Sequence, residues 1–355
     1  MKIAQIAPPW LAIPPKLYGG IERVVDNLTR ELVKKRHQVL LFAPGDSKTK
    51  AKLVPLVPKH LGQAGDKKYK GWIAENYAEL ALYWAQAEEA DIVHGHMLFI
   101  PKYSIHIKRV ETLHGPASKR ILVKCRRLSS EGVFFVAISK KQKELYIKKE
   151  KDLFESNKIK WAGVVHNAIN IEKYPFDDSK KDYLLFLGRA NEEKGIDYAV
   201  RVALATGEKL KMAVKVTEEF EKEYWQKKIK PLIAKAKKGQ IKVFGEVSRK
   251  DKIALLRDAK ATLFTSRWEE PFGLVITESL ACGTPVIAFR KGAAPEIIEE
   301  GETGFIADTE RDMIGAIKKL KQIRFKECRK RVQESFSSGK MANGYIKIYR
   351  EIIKN

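Results

Sequence analysis

Two carboxylates bracket a Pro-Phe-Gly turn in EEPFGLVITESLACGTPV, which runs from Glu269 to Val286 with seven residues between Glu270 and Glu278. The stretch reads as a loop, a helix starting near Gly273 or Leu274, and a stop at Gly283 reinforced by Pro285. A helix start presents unpaired N–H groups and a partial positive charge, so it suits an anion. Glu270 stands before that start and Glu278 about two turns inside the helix. By itself the stretch reads more simply as a capped surface helix. FLGRANEEKGID adds a second candidate, with Gly188 allowing close approach and Arg189 and Lys194 supplying cations at the end of an apolar run. Arg can grip phosphate oxygens through a planar fork and Lys acts as a mobile point charge. In APPWLAIPPKLYGGIERVV the pair Gly19 and Gly20 precedes a helix; a structural turn and a phosphate contact explain it equally well. His114 in TLHGP stands at another strand-end turn, where a plain loop histidine is the simpler reading.

Other chemistries are poorly supported. His94 and His96 in HGH could share one strand face as metal ligands do, but nothing acidic or Cys-rich accompanies them. Neither G-x-G-x-x-G nor a Walker loop occurs, and Ser139 lacks the G-x-S-x-G setting of a hydrolase nucleophile. There is no D-x-D to carry a nucleotide-bound metal.

The elements that must position these residues are short apolar strands alternating with amphipathic helices. KIAQIAP leads to a helix from about Ile21, with Val24, Val25, Leu28 and Leu32 on its apolar face. QVLLFA, ADIVHGH, RVETLHG and FFVAIS continue the pattern. EKYPFDDSKKD (Glu172 to Asp182) then breaks the texture as a polar linker, and a second alternation opens with YLLFLGR and runs to PVIAF. Such runs form parallel sheets covered on both faces, with ligands beyond the strands' carboxyl ends. Two doubly wound domains facing across a cleft are expected, since 355 residues exceed one ordinary core.

The composition is globular, 44% hydrophobic and 32% charged, with no run near the roughly 20 apolar residues of a membrane span. The first residues read as a strand and not as a leader. Cys125, Cys282 and Cys328 form no C-x-x-C pair, which suits a reducing compartment and a cytoplasmic protein. The net charge of +24 comes without zinc-finger spacing, zipper heptads or an aromatic RNA-reading signature, so nucleic acid is not an expected partner. Two basic clusters, Lys119 to Arg127 and Lys140 to Lys149, leave peripheral contact with an anionic membrane, at its inner face, as the partner this charge admits. KRILVKCRRL has the mixture of cations and apolar residues that an interfacial helix needs.

Together the Gly turns, the Arg/Lys pair, the histidine and the carboxylates suggest an enzyme that holds a diphosphate by residue charges and a helix dipole. At this point the chain resembles family 4 of the retaining, GT-B-fold glycosyltransferases over essentially its whole length. The residues carrying the likeness are YGGIERVV, TLHGP, FVAIS, FLGRANEEKG, VFGEV, EEPFGLVITESLACGTPVIAF, GAAPEIIEEGETGFI and MANGYIKIYREI.

The resemblance implies an α/β fold of two Rossmann-like domains, with an acceptor-side domain over 1–166 and a nucleotide-sugar domain over 167–340. A last helix, 341–355, would return to the first domain. It implies that Arg189 and Lys194 bind the donor diphosphate, and that Phe272, Gly273, Leu274 and Val275 meet sugar hydroxyls and phosphate. Glu270 would face the sugar, Glu278 the ribose and His114 the sugar from the first domain. Glu246 and Val247 would lie near the base, and Gly19 and Gly20 at the donor phosphates. No cofactor or metal is implied beyond the nucleoside-diphosphate sugar itself; the acceptor would be a sugar, a lipid or a small molecule. Ala168 replaces a common glycine, and LKMAVKV lacks the usual glycines after its strand, so the base or phosphate pocket is expected to differ. A GT-B sugar-nucleotide epimerase and a non-catalytic binder of nucleotide-sugar or nucleic acid remain the alternatives.

Overall fold

A computed structural model describes residues 1–354 except 17–18, 63–66 and 103–105, and the side chains of 67–70 are also outside the description. Tyr18 of YGGIERVV and Asn355 of the last helix therefore lie outside the described residues. The chain divides into two units, Met1–Ile169 with Ser338–Asn355, and Asn170–Ser337. The sequence places these crossings at 166/167 and 340/341. The structure brings them side by side: the Ser338 N–H donates to the Ile169 carbonyl at 3.1 Å, where the C-terminal helix Ser338–Lys354 begins.

In the first unit seven strands form one parallel sheet in the order β3-β2-β1-β4-β5-β6-β7. They are β1 (Lys2–Ile6), β2 (Gln38–Phe42), β3 (Lys52–Val54), β4 (Ile92–Gly95), β5 (Arg109–Leu113), β6 (Phe134–Ala137) and β7 (Trp161–Val164). Continuous apolar strands fit a sheet buried on both faces, and Ile3 of β1 sits in register with Val39 and Ile92 on either side. The first helix, Gly20–Lys34, buries Val24, Val25, Leu28 and Leu32 as its periodicity requires. Each such side chain contributes about 1.5–3 kcal/mol when fully buried. The C-terminal helix packs on this helix and buries Tyr345 and Tyr349.

The second unit holds β8 (Leu184–Arg189), β9 (Leu210–Lys215), β10 (Ile241–Phe244), β11 (Ala261–Phe264), β12 (Val286–Phe289) and β13 (Gly304–Ala307). They form a parallel sheet in the order β10-β9-β8-β11-β12-β13. In both sheets the winding reverses beside the unit's first strand, at β1/β4 and at β8/β11. These are the places where an open α/β sheet binds ligands.

Two expectations need correction. The polar stretch after Glu172 is no free linker: Tyr174 and Tyr183 are buried, and Lys180 Nζ donates to the Arg257 and Cys282 carbonyls and to Thr284 Oγ1. Burial pushes the Lys180 pKa down to about 8. The proposed interfacial helix, Lys119–Ser130, already commits its apolar face to the core through Leu122, Cys125 and Leu128. Its cations are also partly engaged, Arg126 with the buried Glu150 at 2.9 Å and Lys124 with Glu75 at 3.1 Å. Packing thus takes up the buried face of this helix, while Val123, Lys119, Arg120 and Arg127 stay exposed. Among the described residues no helix is long and apolar enough to cross a membrane.

Candidate functional site

The switch point of the second sheet brings two loops together. After β8 the chain makes a tight turn, Glu192–Lys194, and enters a left-handed conformation at Gly195 (φ 61°). A Cβ there would lie 2.0 Å from the Thr265 carbonyl oxygen, so only glycine lets this turn lie on the backbone that follows β11. Thr265 Oγ1 donates to the Lys194 carbonyl at 3.1 Å, and the Arg267 N–H to the Glu193 carbonyl at 2.8 Å. So stitched, the loops set Lys194 Nζ 2.8 Å from Glu270 Oε1.

From the other side, Gly292 (φ 53°) receives the Glu270 backbone so closely that a Cβ would meet it at 2.1–2.8 Å. The Ala293 N–H donates to the Glu270 carbonyl at 3.1 Å, and the Gly292 N–H to Glu269 Oε2 at 2.7 Å. Glu270 is thus positioned by two segments besides its own loop, the turn at Lys194 and the backbone at Gly292 and Ala293. Its second oxygen, Oε2, is buried with no hydrogen-bond partner among the described residues, as is Nε1 of the neighbouring Trp268. Native folds rarely leave a buried polar atom unpaired, because its lost hydration costs about 1–3 kcal/mol. On this loop the two atoms are open to hydrogen bonds from a ligand or from water.

Arg189, the last residue of β8, donates from Nε to Glu221 Oε1 at 2.5 Å. Glu221 Oε2 accepts from the Thr217 N–H, the Thr217 hydroxyl and the Glu218 N–H. Burial by itself would raise the Glu221 pKa; the Arg189 bond and the two backbone donors outweigh it and leave it lowered. Arg189 is therefore a cation held in place by a carboxylate.

Glu278 is buried on the helix Leu274–Ala281, where Oε1 accepts from Tyr174 Oη at 2.8 Å and from Lys252 Nζ at 2.6 Å. Gly273 precedes this helix with φ 97° and no side-chain cap. Phe272 is buried against Phe336, while Leu274 and Val275 are half-buried at the helix start. Glu246 is exposed, 3.4 Å from Lys215, and Val247 beside it is half-buried. The structure thus joins Lys194 to Glu270, but gives Arg189 and Glu278 partners that the sequence did not single out.

In the first unit His114 follows β5 directly, with Nε2 3.0 Å from His96 Nδ1. His96 and His94 spend their ring nitrogens on hydrogen bonds, to His114 and Gln5 for His96 and to Gln5, Tyr349 and Thr112 for His94. Burial lowers the His114 pKa to about 4 and the His94 pKa to about 3, and drives His96 well below its ordinary value. All three are neutral imidazoles near pH 7. Gly19 caps the first helix and Gly20 opens it. Burial raises the Glu22 carboxyl pKa in that helix's first turn, against a backbone hydrogen bond that lowers it. This helix start already carries a carboxyl of its own.

Sequence reasoning missed Tyr174, Lys252, Glu221 and Trp268 around the second-unit carboxylates, and Gln5 and Tyr349 around the histidines. Two faint signals existed: the S-x-x-D cap at Ser248 that places Lys252 one turn into its helix, and the E-x-x-E box at Glu218 that places Glu221.

Comparison with known proteins covers both units. The family model for glycosyl transferases group 1 matches residues 169–336, and that for glycosyltransferase family 4 matches residues 18–173. An uncharacterized glycosyltransferase of Methanocaldococcus jannaschii is 26% identical over 95% of this chain and 97% of its own. Among solved structures, sucrose-phosphate synthase of Thermosynechococcus elongatus superimposes with a TM-score of 0.78 at 18% identity, covering 99% of each chain. The Anabaena protein HepE, solved with UDP and glucose, superimposes with a TM-score of 0.71 at 17% identity, covering 99% of this chain and 100% of its own.

Proposed function

Because this chain belongs to glycosyltransferase family 4 and has its GT-B fold, we propose that it moves a sugar from a nucleoside diphosphate to an acceptor hydroxyl with retention and without a metal ion. The observation that carries this reading is the Lys194–Glu270 pair, 2.8 Å apart at the switch point of the second sheet, with Glu270 Oε2 buried and unpartnered. A bound donor supplies what both groups need: phosphate oxygens for Lys194 and sugar hydroxyls to donate to Glu270 Oε2. Arg189 and the N–H groups ahead of Leu274 add positive potential for the departing diphosphate. Stabilising that developing charge is the protein's main catalytic contribution. The acceptor attacks the face that the diphosphate leaves, and a phosphate oxygen takes its proton. Glu278, with Lys252 and Tyr174, holds the ribose end, and His114 is the first unit's catalytic residue. Independence of metal follows from built-in cations and from the absence of D-x-D in the sequence. Three unpaired, buried cysteines suit a cytoplasmic setting.

A thermal-shift screen of UDP-, GDP- and ADP-sugars tests this, because a ligand bound only by the folded state raises the melting temperature. One base class should stabilise the protein, and turnover should require an acceptor. No stabilisation by any of them would overturn the reading. Donor conversion to its epimer without acceptor would replace it with the epimerase alternative.

A further inference from the structure

A buried chain of neutral groups runs from the C-terminal helix to His114, and its donors and acceptors can be assigned in sequence. Gln5 and His94 are register partners on β1 and β4, and both are fully buried. Gln5 Nε2 donates to Tyr349 Oη at 3.1 Å and lies 3.2 Å from His94 Nδ1, so the amide nitrogen faces that side. Tyr349 Oη also lies 2.7 Å from His94 Nδ1. With Nδ1 accepting, His94 donates from Nε2 to Thr112 Oγ1 at 2.7 Å, and that hydroxyl reaches Tyr345 Oη at 2.8 Å.

The remaining Gln5 atom, Oε1, can only accept, and it faces His96 Nε2 at 2.8 Å. His96 must then carry its proton on Nε2. In a neutral imidazole that leaves Nδ1 as an acceptor. His96 Nδ1 faces His114 Nε2 at 3.0 Å, so His114 must donate from Nε2 and keep Nδ1 bare. No hydrogen bond occupies His114 Nδ1 among the described residues.

We infer that Gln5 and His96 are positioning residues which, anchored by Tyr349 of the C-terminal helix, hold His114 as its Nε2–H tautomer. His114 then offers Nδ1 as a hydrogen-bond acceptor to a substrate hydroxyl. This rests on the proposed catalytic role of His114. The assignment has a sharp alternative, because turning the Gln5 amide over would reverse every proton from His94 to His114. It also gives the return of the last helix a task in the chemistry: Tyr349 fixes the amide from a position 344 residues along the chain.

The test is long-range proton–nitrogen NMR on the full chain labelled with ¹⁵N-histidine. It reads which ring nitrogen carries the proton, with His114 identified by its loss in His114→Gln. In the unaltered protein His96 and His114 should both be protonated at Nε2. Gln5→Met and the milder Tyr349→Phe, which keeps the ring's packing, should give His114 a measurable Nδ1–H population. With the donor picked out by the thermal-shift screen, kcat should fall about tenfold, the equivalent of one hydrogen bond, at nearly unchanged donor KM. An Nδ1–H His114 in the unaltered protein, or an unmoved tautomer in both variants, overturns the inference. A shifted tautomer with full kcat instead removes His114 from the reaction and leaves the tautomer assignment standing.

Discussion

The two units place very different chemistry at equivalent points of their sheets. At β1/β4 the first unit has a sealed network of uncharged groups, Gln5, His94, His96 and Tyr349, each with its hydrogen bonds satisfied inside the fold. At β8/β11 the second has ion pairs, Lys194 with Glu270 and Arg189 with Glu221, both within reach of solvent. A neutral buried network gains nothing by opening, so it suits fixing one geometry and one proton arrangement. The Lys194–Glu270 pair, partly exposed on both sides, is worth little net energy. It can exchange its partner for a diphosphate at small cost. The same winding rule therefore yields a fixed half and an exchangeable half.

The largest expected effect comes from breaking the exchangeable half's scaffold. Gly195→Ala would drive a Cβ into the Thr265 carbonyl at a positive φ, a strain of order 1–3 kcal/mol. Displacing Lys194 from Glu270 should cut turnover about 100-fold, read by steady-state kinetics beside a melting curve. An unchanged kcat would show that the stitched loops do not position the site.

Arg189→Ala should come next. Loss of a charge-assisted contact worth about 1.5–3 kcal/mol should weaken nucleoside diphosphate binding roughly 10- to 100-fold. Calorimetry would measure it, and unaltered affinity would remove Arg189 from the site. The variant should also raise the Glu221 pKa, since Arg189 is the strongest influence holding it down against burial.

A smaller effect should appear in pH-dependent stability. The folded pKa values of His94 and His114 lie at about 3 and about 4, and that of His96 well below 6.5. The unfolded chain's histidines titrate at about 6.5 and so bind more protons in this range. The contribution of these three histidines is fully present above pH 6.5 and is lost as pH drops toward 4. Melting temperatures across that window should decline in the unaltered protein and decline less in His96→Gln. A flat profile above pH 5 would mean that the network is not held neutral by burial.

The smallest expected effect is none. Donor binding and turnover should survive EDTA, because Arg189 and Lys194 supply the counter-charge. Loss of turnover restored by Mg²⁺ or Mn²⁺ would contradict that.

The parallel strands and the strand-end positions of Gly188, Lys194, His114 and Glu270 were legible because apolar runs and Gly punctuation are local signals. Glu270 and Glu278 also showed in the sequence, although their partners did not. Tyr174 hid in a stretch whose average polarity reads as linker, yet its hydroxyl meets Glu278 at 2.8 Å. Lys252 is one cation among 68 Lys and Arg residues, and nothing local separates it from the solvated ones. Gln5 looks like any residue of a first strand until the fold brings in His94 and, 344 residues later, Tyr349. What the sequence withheld was pairing over long separations, which only the sheet order and the returning helix create.

The central claim is that the second unit's two glutamates hold different parts of one donor. The most direct measurement is nucleoside diphosphate affinity alongside donor kinetics for Glu270→Gln and Glu278→Gln. Glu270→Gln should lose most turnover, about 100-fold, because its bond to the sugar strengthens as charge develops on the ring. Bare nucleotide should still bind it as well or better, since Lys194 is then released from its carboxylate. Glu278→Gln should chiefly raise donor KM and weaken the bare nucleotide, since ribose contacts change little during the reaction. The same kinetic signature in both variants, or full activity in Glu270→Gln, would contradict the account.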